Sequence, residues 1–398
     1  MDTADQRPAT APRPSGPVAA PARGDTRLLT RPFVLLMVSD LAYFTAMSLM
    51  IPLVPLYAAG ELGAGAAGVG IAVGAYAVVA LVLRPVAGWQ SDRWGRRPLL
   101  VGGALLAAVA VGAQGFADQL TVLIAMRLLL GVADGMFFVA TFAALADVAP
   151  PGRSGEALSF GSLALYLGIA GGPLLGETLL GVGGFDLAWA AAAGLMLAAA
   201  AAAVGVGEPG TPRPDAPWQG FVHRTALGPG LLLAAGIGGM TGFFAFVALY
   251  SRELGLADSG TVMLVFGGIV VGLRVVFAKL PDRVPPMPLT AVSLTLCALG
   301  LVTVSTVGSV AGLFAGTAVL AVGVAFLTPA VFAAVYSRVP PAERGSAAGT
   351  TTLCVDIAFG GGPMVFGVVA AAGGIPAAYA AAGLVAGIAA AAAAVSRR

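Results

Sequence analysis

Charge is scarce in this chain. Only 10% of its 398 residues are Asp, Glu, Lys or Arg, against 58% hydrophobic ones, and the mean hydropathy is +0.93. A water-soluble globule is excluded, because no soluble fold hides that much apolar surface. Histidine occurs once, at His223 in a polar connector, which argues against a His-based metal site or a catalytic dyad. The two cysteines, Cys297 and Cys354, stand far apart within apolar stretches and lack metal or redox spacing, so they read as small buried hydrophobes. The 21 basic and 19 acidic residues nearly cancel, which implies no nucleic acid partner. No nucleophile with its base, metal cluster or phosphate loop is found, so the expectation is a protein that is not an enzyme and needs no cofactor or metal.

What is present is a succession of apolar stretches long enough to cross a bilayer, since about 20 helical residues span a core of about 30 Å. They fall near 32–57, 68–88, 98–117, 119–146, 157–180 and 186–206. Six more follow at 229–250, 260–280, 288–308, 310–336, 346–370 and 375–395. The expected fold is an all-α membrane protein of twelve transmembrane helices in two pseudo-symmetric six-helix bundles. Its parts are a disordered tail over 1–30, an N-terminal bundle over 31–206, a linker over 207–227 and a C-terminal bundle over 228–398. The tail is rich in Pro, Ala and Arg without an apolar core, unlike a cleavable signal peptide. With twelve spans, 17 of the 21 basic residues fall in the tail, the even-numbered connections and the C-terminus. That asymmetry predicts a multi-pass protein of the cell membrane with both termini cytoplasmic.

The sequence repeats with a period near 190. Arg84 precedes Asp92-Arg93 by the spacing at which Arg274 precedes Asp282-Arg283; Gly171-Gly172-Pro173 recurs as Gly361-Gly362-Pro363, and Gly183-Gly184 as Gly373-Gly374. Duplicated halves joined by a linker suit a transporter whose substrate site lies between them.

The second connection reads Gly88-Trp89-Gln90-Ser91-Asp92-Arg93-Trp94-Gly95-Arg96-Arg97. It resembles the signature loop of the major facilitator superfamily: Gly, three residues, Asp-Arg, one residue, Gly, two basic residues. Physically, Gly88 and Gly95 permit close helix approach and a tight turn, while Arg93, Arg96 and Arg97 fix the loop at an anionic leaflet. The resemblance implies that Asp92 meets the start of the eleventh span, near Ser346, and acts as part of a conformational gate. Arg84 and Arg274 are expected to join that gate with acids such as Asp147. In the fifth span, Gly168, Gly172, Pro173 and Gly176 resemble the Gly-Pro motif of twelve-span drug:proton antiporters, with Glu177 where that family often has glycine. Tight helix packing accounts for these residues as well. Arg127 with Gly131 resembles a further antiporter pattern in the fourth span, with Leu130 in place of the usual Gln.

Acids inside apolar spans are costly and are functional candidates by default. Asp40, Asp134 and Asp356 balance Arg84, Arg127 and Arg274. Asp40, about 12 Å into the first span, and Asp134 in the fourth are expected at similar depth. Because the resemblance implies that helices one, four, seven and ten line the cavity, the two acids should approach each other there. Two such carboxylates cannot both ionise cheaply, so one carries a proton and proton coupling is assigned to Asp40 and Asp134. Tyr43, Phe44, Met47, Arg127, Phe138, Phe243 and Asp356 complete the expected substrate cavity, Asp356 either contacting substrate or holding Arg274. The expected function is proton-coupled export of a small lipophilic or cationic compound by a monomer, with the small molecule, protons and the lipid bilayer as partners. A sugar or metabolite permease and a non-transporting membrane sensor are the alternatives.

Overall fold

A computed structural model describes residues 28–150, 153–209, 223–277, 280–340 and 344–396. Residues 1–27 of the expected disordered tail and most of the expected linker lie outside the described residues. Among those described, all regular structure is helical: α1 (Arg31–Gly60), α2 (Ala66–Trp94), α3 (Arg96–Gln114), α4 (Leu120–Val148), α5 (Ser154–Val206), α6 (Arg224–Glu253), α7 (Gly260–Val276), α8 (Leu280–Arg283), α9 (Pro286–Val307), α10 (Val310–Tyr336) and α11 (Arg344–Val395). Nine of these are long and apolar enough to cross a membrane, and α7 is a shorter apolar helix of 17 residues.

The local causes are ordinary. Proline opens α1 and α9, where its missing N–H costs nothing, and the Ser309 hydroxyl accepts from Gly312 N at 3.2 Å to cap α10. The two longest elements each contain a break at the predicted glycine pair. In α5 the backbone leaves helical geometry at Gly183 and at Gly184, where φ is 69°; in α11 it does so at Gly374, where φ is 82°. Left-handed φ is cheap only for glycine, so these residues reverse the chain with almost no loop. The expected stretches 157–180 and 186–206 therefore appear as two arms of α5, and 346–370 and 375–395 as two arms of α11. The expected 260–280 stretch ends earlier, at Val276.

Contacts sort the helices into α1–α5 and α6–α11, joined chiefly where α2 meets α11 and the first arm of α5 meets α7, and to a smaller extent where α1 meets α6. The end bearing the α2–α3 connection is called the loop face here. Large apolar side chains such as Val109, Leu231 and Ile388 stay more than half exposed on the outside of the bundle, as lipid contact requires. Toward the face opposite the loop face the two sets touch backbone to backbone. A methyl at Gly70 would strike the Pro363 carbonyl, and one at Gly74 the Gly360 carbonyl; at Gly267 it would strike Ala170. Small residues allow this close packing in lipid.

Candidate functional site

Arg84 lies on α2 about 15 Å from that helix's loop-face end and holds two carboxylates at once. Its Nη1 is 2.8 Å from Asp356 Oδ1 on α11, and its Nη2 is 3.4 Å from Asp134 Oδ2 on α4. The guanidinium also stacks 4.1 Å from the Phe138 ring centroid. Side-chain exposure is 17% for Arg84, 7% for Asp134 and 5% for Asp356, so the ions face little solvent. Charges this buried persist only when paired. The cluster fastens α4 in the first set of helices to α11 in the second. Of the two roles open to Asp356, holding Arg274 is not what the structure shows: its partner is Arg84.

Arg127 makes a different arrangement. Nε and Nη2 donate to the Ala72 and Val73 carbonyls of α2 at 2.9 and 2.8 Å, and the guanidinium stacks on Tyr76. This clamp braces α2 on α4, and Arg127 makes no ion pair with Asp134. The charge is satisfied by backbone dipoles and a ring face.

Asp40 lies near its expected depth but does not share it with Asp134, which corrects the expected approach of the two acids. Its Oδ1 accepts from the Thr141 hydroxyl of α4 at 2.9 Å, while its Oδ2 is buried without a partner. Thr141 lies seven residues along α4 from Asp134, about 10 Å closer to the loop face. Asp134 is the middle residue of a helix ending at Val148, so it sits deeper than the start of α1 allows Asp40 to reach. The expected cavity side chains are also more enclosed than their periodicity suggested. Tyr43 stacks on Phe137 with centroids 3.8 Å apart, and Phe243 packs against Phe244 and Tyr379. Tyr43, Phe44 and Phe243 are buried, whereas Met47 and Phe138 are half-buried.

At the loop face Arg96 is the hub. Its Nη1 donates to Asp92 at 2.7 Å and to Ser91 at 3.2 Å, and its Nε to Asp147 at 3.0 Å. Asp147 thus pairs with Arg96 rather than Arg84, which lies too far inside the bundle to reach it. Glu208, which the sequence did not single out, accepts from the backbone N–H groups of Arg96 and Arg97 and caps α3. Arg93 stacks on Trp89. Gly88 lies in α2, and Gly95, with φ 97°, makes the turn into α3. Asp92 is held by Arg96, one turn away, and its expected partner, the Ser346 side chain, lies outside the described residues.

On the opposite face Glu177 of α5 reaches the start of α7. Its Oε2 accepts from Ser259 N at 2.6 Å and Gly260 N at 2.5 Å, and Oε1 from the Ser259 hydroxyl at 2.9 Å. Gly168, Gly172 and Gly176, on the same arm as Pro173, lie against the α1 backbone near Phe44, Thr45 and Leu49. Arg274 of α7 donates to the Tyr166 hydroxyl of α5 at 2.9 Å. Tyr166 and Thr141 were missed because neither is charged.

Residues 36–363 match the family description Major Facilitator Superfamily. The chain belongs to that superfamily. It is therefore a multi-pass membrane transporter rather than an enzyme. An uncharacterised MFS-type transporter of Salmonella typhimurium is 30% identical over 339 residues, covering 81% of this chain and 86% of the relative. One from Pseudomonas aeruginosa is 28% identical and covers 89% of each chain. Among solved structures, a POT peptide transporter superposes with a TM-score of 0.78 at 16% identity, covering 92% of this chain and 94% of that one. A bacterial homologue of the lysosomal transporter Spinster, inward-facing and occupied, gives 0.75 at 16%, covering 91% and 95%. At such identities the likeness is one of fold. The transporter's tight contacts between helix sets lie from Arg84 outward to the face opposite the loop face. Nearer the loop face than Arg84, no ion pair joins the two sets among the described residues.

Proposed function

We propose that this transporter is a twelve-span, two-bundle secondary carrier that exports a small lipophilic or cationic compound in exchange for protons. The two arms each of α5 and α11, with the seven other long helices and the shorter α7, supply the twelve crossings. Both termini and the loop face are cytoplasmic, so the conformation described is shut toward the outside. The observation that carries the reading is the Arg84 bridge. A single guanidinium is shared by one acid in its own bundle and one in the other, and separating the bundles must break Arg84–Asp356. A contact formed in only one state biases the equilibrium between states. Protonation of Asp356 or Asp134 removes the charge that holds Arg84, and a cationic solute beside Phe138 competes with it for the same carboxylates. Asp40, with its unpartnered buried oxygen, is a second proton position on the loop-face side. This reading, like the gate at Asp92, Arg93, Arg96 and Arg97, agrees with the arrangement of charges described above.

The test is transport of rhodamine 6G by the purified chain in proteoliposomes under an imposed pH gradient. Dye movement that follows the gradient and stops when nigericin collapses it is expected. Asp134→Asn and Asp356→Asn should each reduce the gradient-driven component at least tenfold. Movement indifferent to the gradient in the unmodified protein would overturn proton coupling.

A further inference from the structure

Arg84 and Arg274 are related by the 190-residue repeat, and so are the places their side chains reach. Adding 190 to Tyr166 gives Asp356, and adding 190 to Asp134 gives Val324. The structure obeys the same operation. Arg84 of α2 crosses to Asp356 of α11, and Arg274 of α7 crosses to Tyr166 of the first arm of α5. Gly70, packed against Pro363, maps onto Gly260, packed against Leu174, within one residue. The two seams between helix sets are thus copies of one design, but their chemistry differs. At Arg84 two carboxylates offset the guanidinium. At Arg274 a tyrosine and a fully buried valine occupy the positions of both acids.

Arg274 is held by a neutral partner instead. Its Nη2 donates to the Tyr166 hydroxyl, and its guanidinium lies 4.1 Å from that ring's centroid. Its Nε is buried with no hydrogen-bond partner, and no carboxylate comes within ion-pair distance of it among the described residues. The side chain as a whole is half-buried. Arg127, by contrast, spends its donors on two backbone carbonyls. Of the three arginines within the spans, Arg274 alone has a fork of N–H donors without an anionic or carbonyl acceptor. A guanidinium so placed presents the geometry that takes a carboxylate in two parallel hydrogen bonds, and the low dielectric strengthens that pairing.

We propose that Arg274, oriented by Tyr166, binds a carboxylate group of the transported compound. Resting on the export reading above, this adds to the cargo a class of compounds with a carboxylate on a largely apolar body. The carboxylate then supplies to Arg274 the counter-charge that Asp356 supplies to Arg84 in the other seam.

The experiment uses two dyes that share a xanthene scaffold: fluorescein, which carries a carboxylate, and rhodamine 6G, an esterified cation. Binding of each to the full chain in lipid nanodiscs is read by fluorescence anisotropy over empty nanodiscs. Arg274→Gln should weaken fluorescein binding at least tenfold and leave rhodamine 6G within twofold, while Arg274→Lys, which keeps the charge and loses the fork, recovers only part of the loss. Tyr166→Asp supplies the missing acid and should likewise suppress fluorescein binding, now by competition from within the protein. No fluorescein binding by the unmodified chain overturns the proposal. So does unchanged fluorescein affinity in Arg274→Gln, or equal loss of both dyes in both variants. If fluorescein binding behaves as expected but neither dye moves in proteoliposomes, the export reading falls and the carboxylate site stands. If rhodamine 6G is exported and fluorescein affinity ignores Arg274, the reverse holds.

Discussion

Arg84 holds two carboxylates at once, Asp134 in its own set of helices and Asp356 in the other. Three acids and three arginines within apolar runs are visible at once, and the cost of bare charge in lipid demands partners for each. Only Arg84 finds them among the acids, whereas Arg127 meets carbonyls, Arg274 a tyrosine and Asp40 a threonine. Which acid meets which arginine depends on α2 lying against α11, residues that stand far apart in the chain. Asp147 seemed a partner for Arg84 only because both belong to the loop-face half of their helices, whereas Arg96 reaches it first. The depth of Asp134, by contrast, was available to arithmetic, since it is the central residue of its span. Removing one member of a buried ion pair leaves the other uncompensated, at a cost of about 3–5 kcal/mol. Arg84→Gln should therefore lower the thermal unfolding midpoint in detergent markedly, and Arg84→Gln with Asp134→Asn and Asp356→Asn should recover most of that loss. Asp40→Asn is expected to behave differently. The Asn carbonyl still accepts from Thr141, so expression and melting should stay near those of the unmodified protein. Gradient-driven transport should be lost, as a flux assay with and without a pH gradient would show.

At the scale of elements, the glycine pairs were legible and their consequence was not. Gly183-Gly184 and Gly373-Gly374 mark repeat positions, yet only the backbone shows that each reverses the chain between two helical arms without a loop. Glu177 was visible as a departure from a glycine pattern. Its role emerges from the start of α7, whose first N–H groups point at the carboxylate. A carboxylate at a helix N-terminus contributes about 0.3–2 kcal/mol. Glu177→Gln should therefore move the population toward states open at this face. Spin labels on Thr178→Cys and Thr261→Cys, measured by double electron–electron resonance, should show a larger fraction of long distances. An unchanged distribution would mean that glycine packing alone closes this end.

For the whole molecule, the apolar stretches and the duplication were readable because both rest on local pattern. Closure on one side is a property of contacts between the two sets of helices, which no stretch of sequence carries by itself. The orientation proposed here has a direct check. Trp94 is 55% exposed at the loop face and Phe116 is 86% exposed at the other, while both native cysteines are buried. In intact cells a membrane-impermeant maleimide should label Phe116→Cys and spare Trp94→Cys, and the order should reverse in inside-out vesicles.

The two interfaces that relate by the repeat are fastened at different heights. One carries its carboxylate at mid-depth, at Asp356, and has bare Gly367 toward the rim. The other has Tyr166 at mid-depth and Glu177 at the rim. Twofold ancestry thus ends in a lopsided clasp. Such a clasp is expected to open unevenly: one edge should yield to whatever disturbs the rim, and the other to whatever reaches the centre.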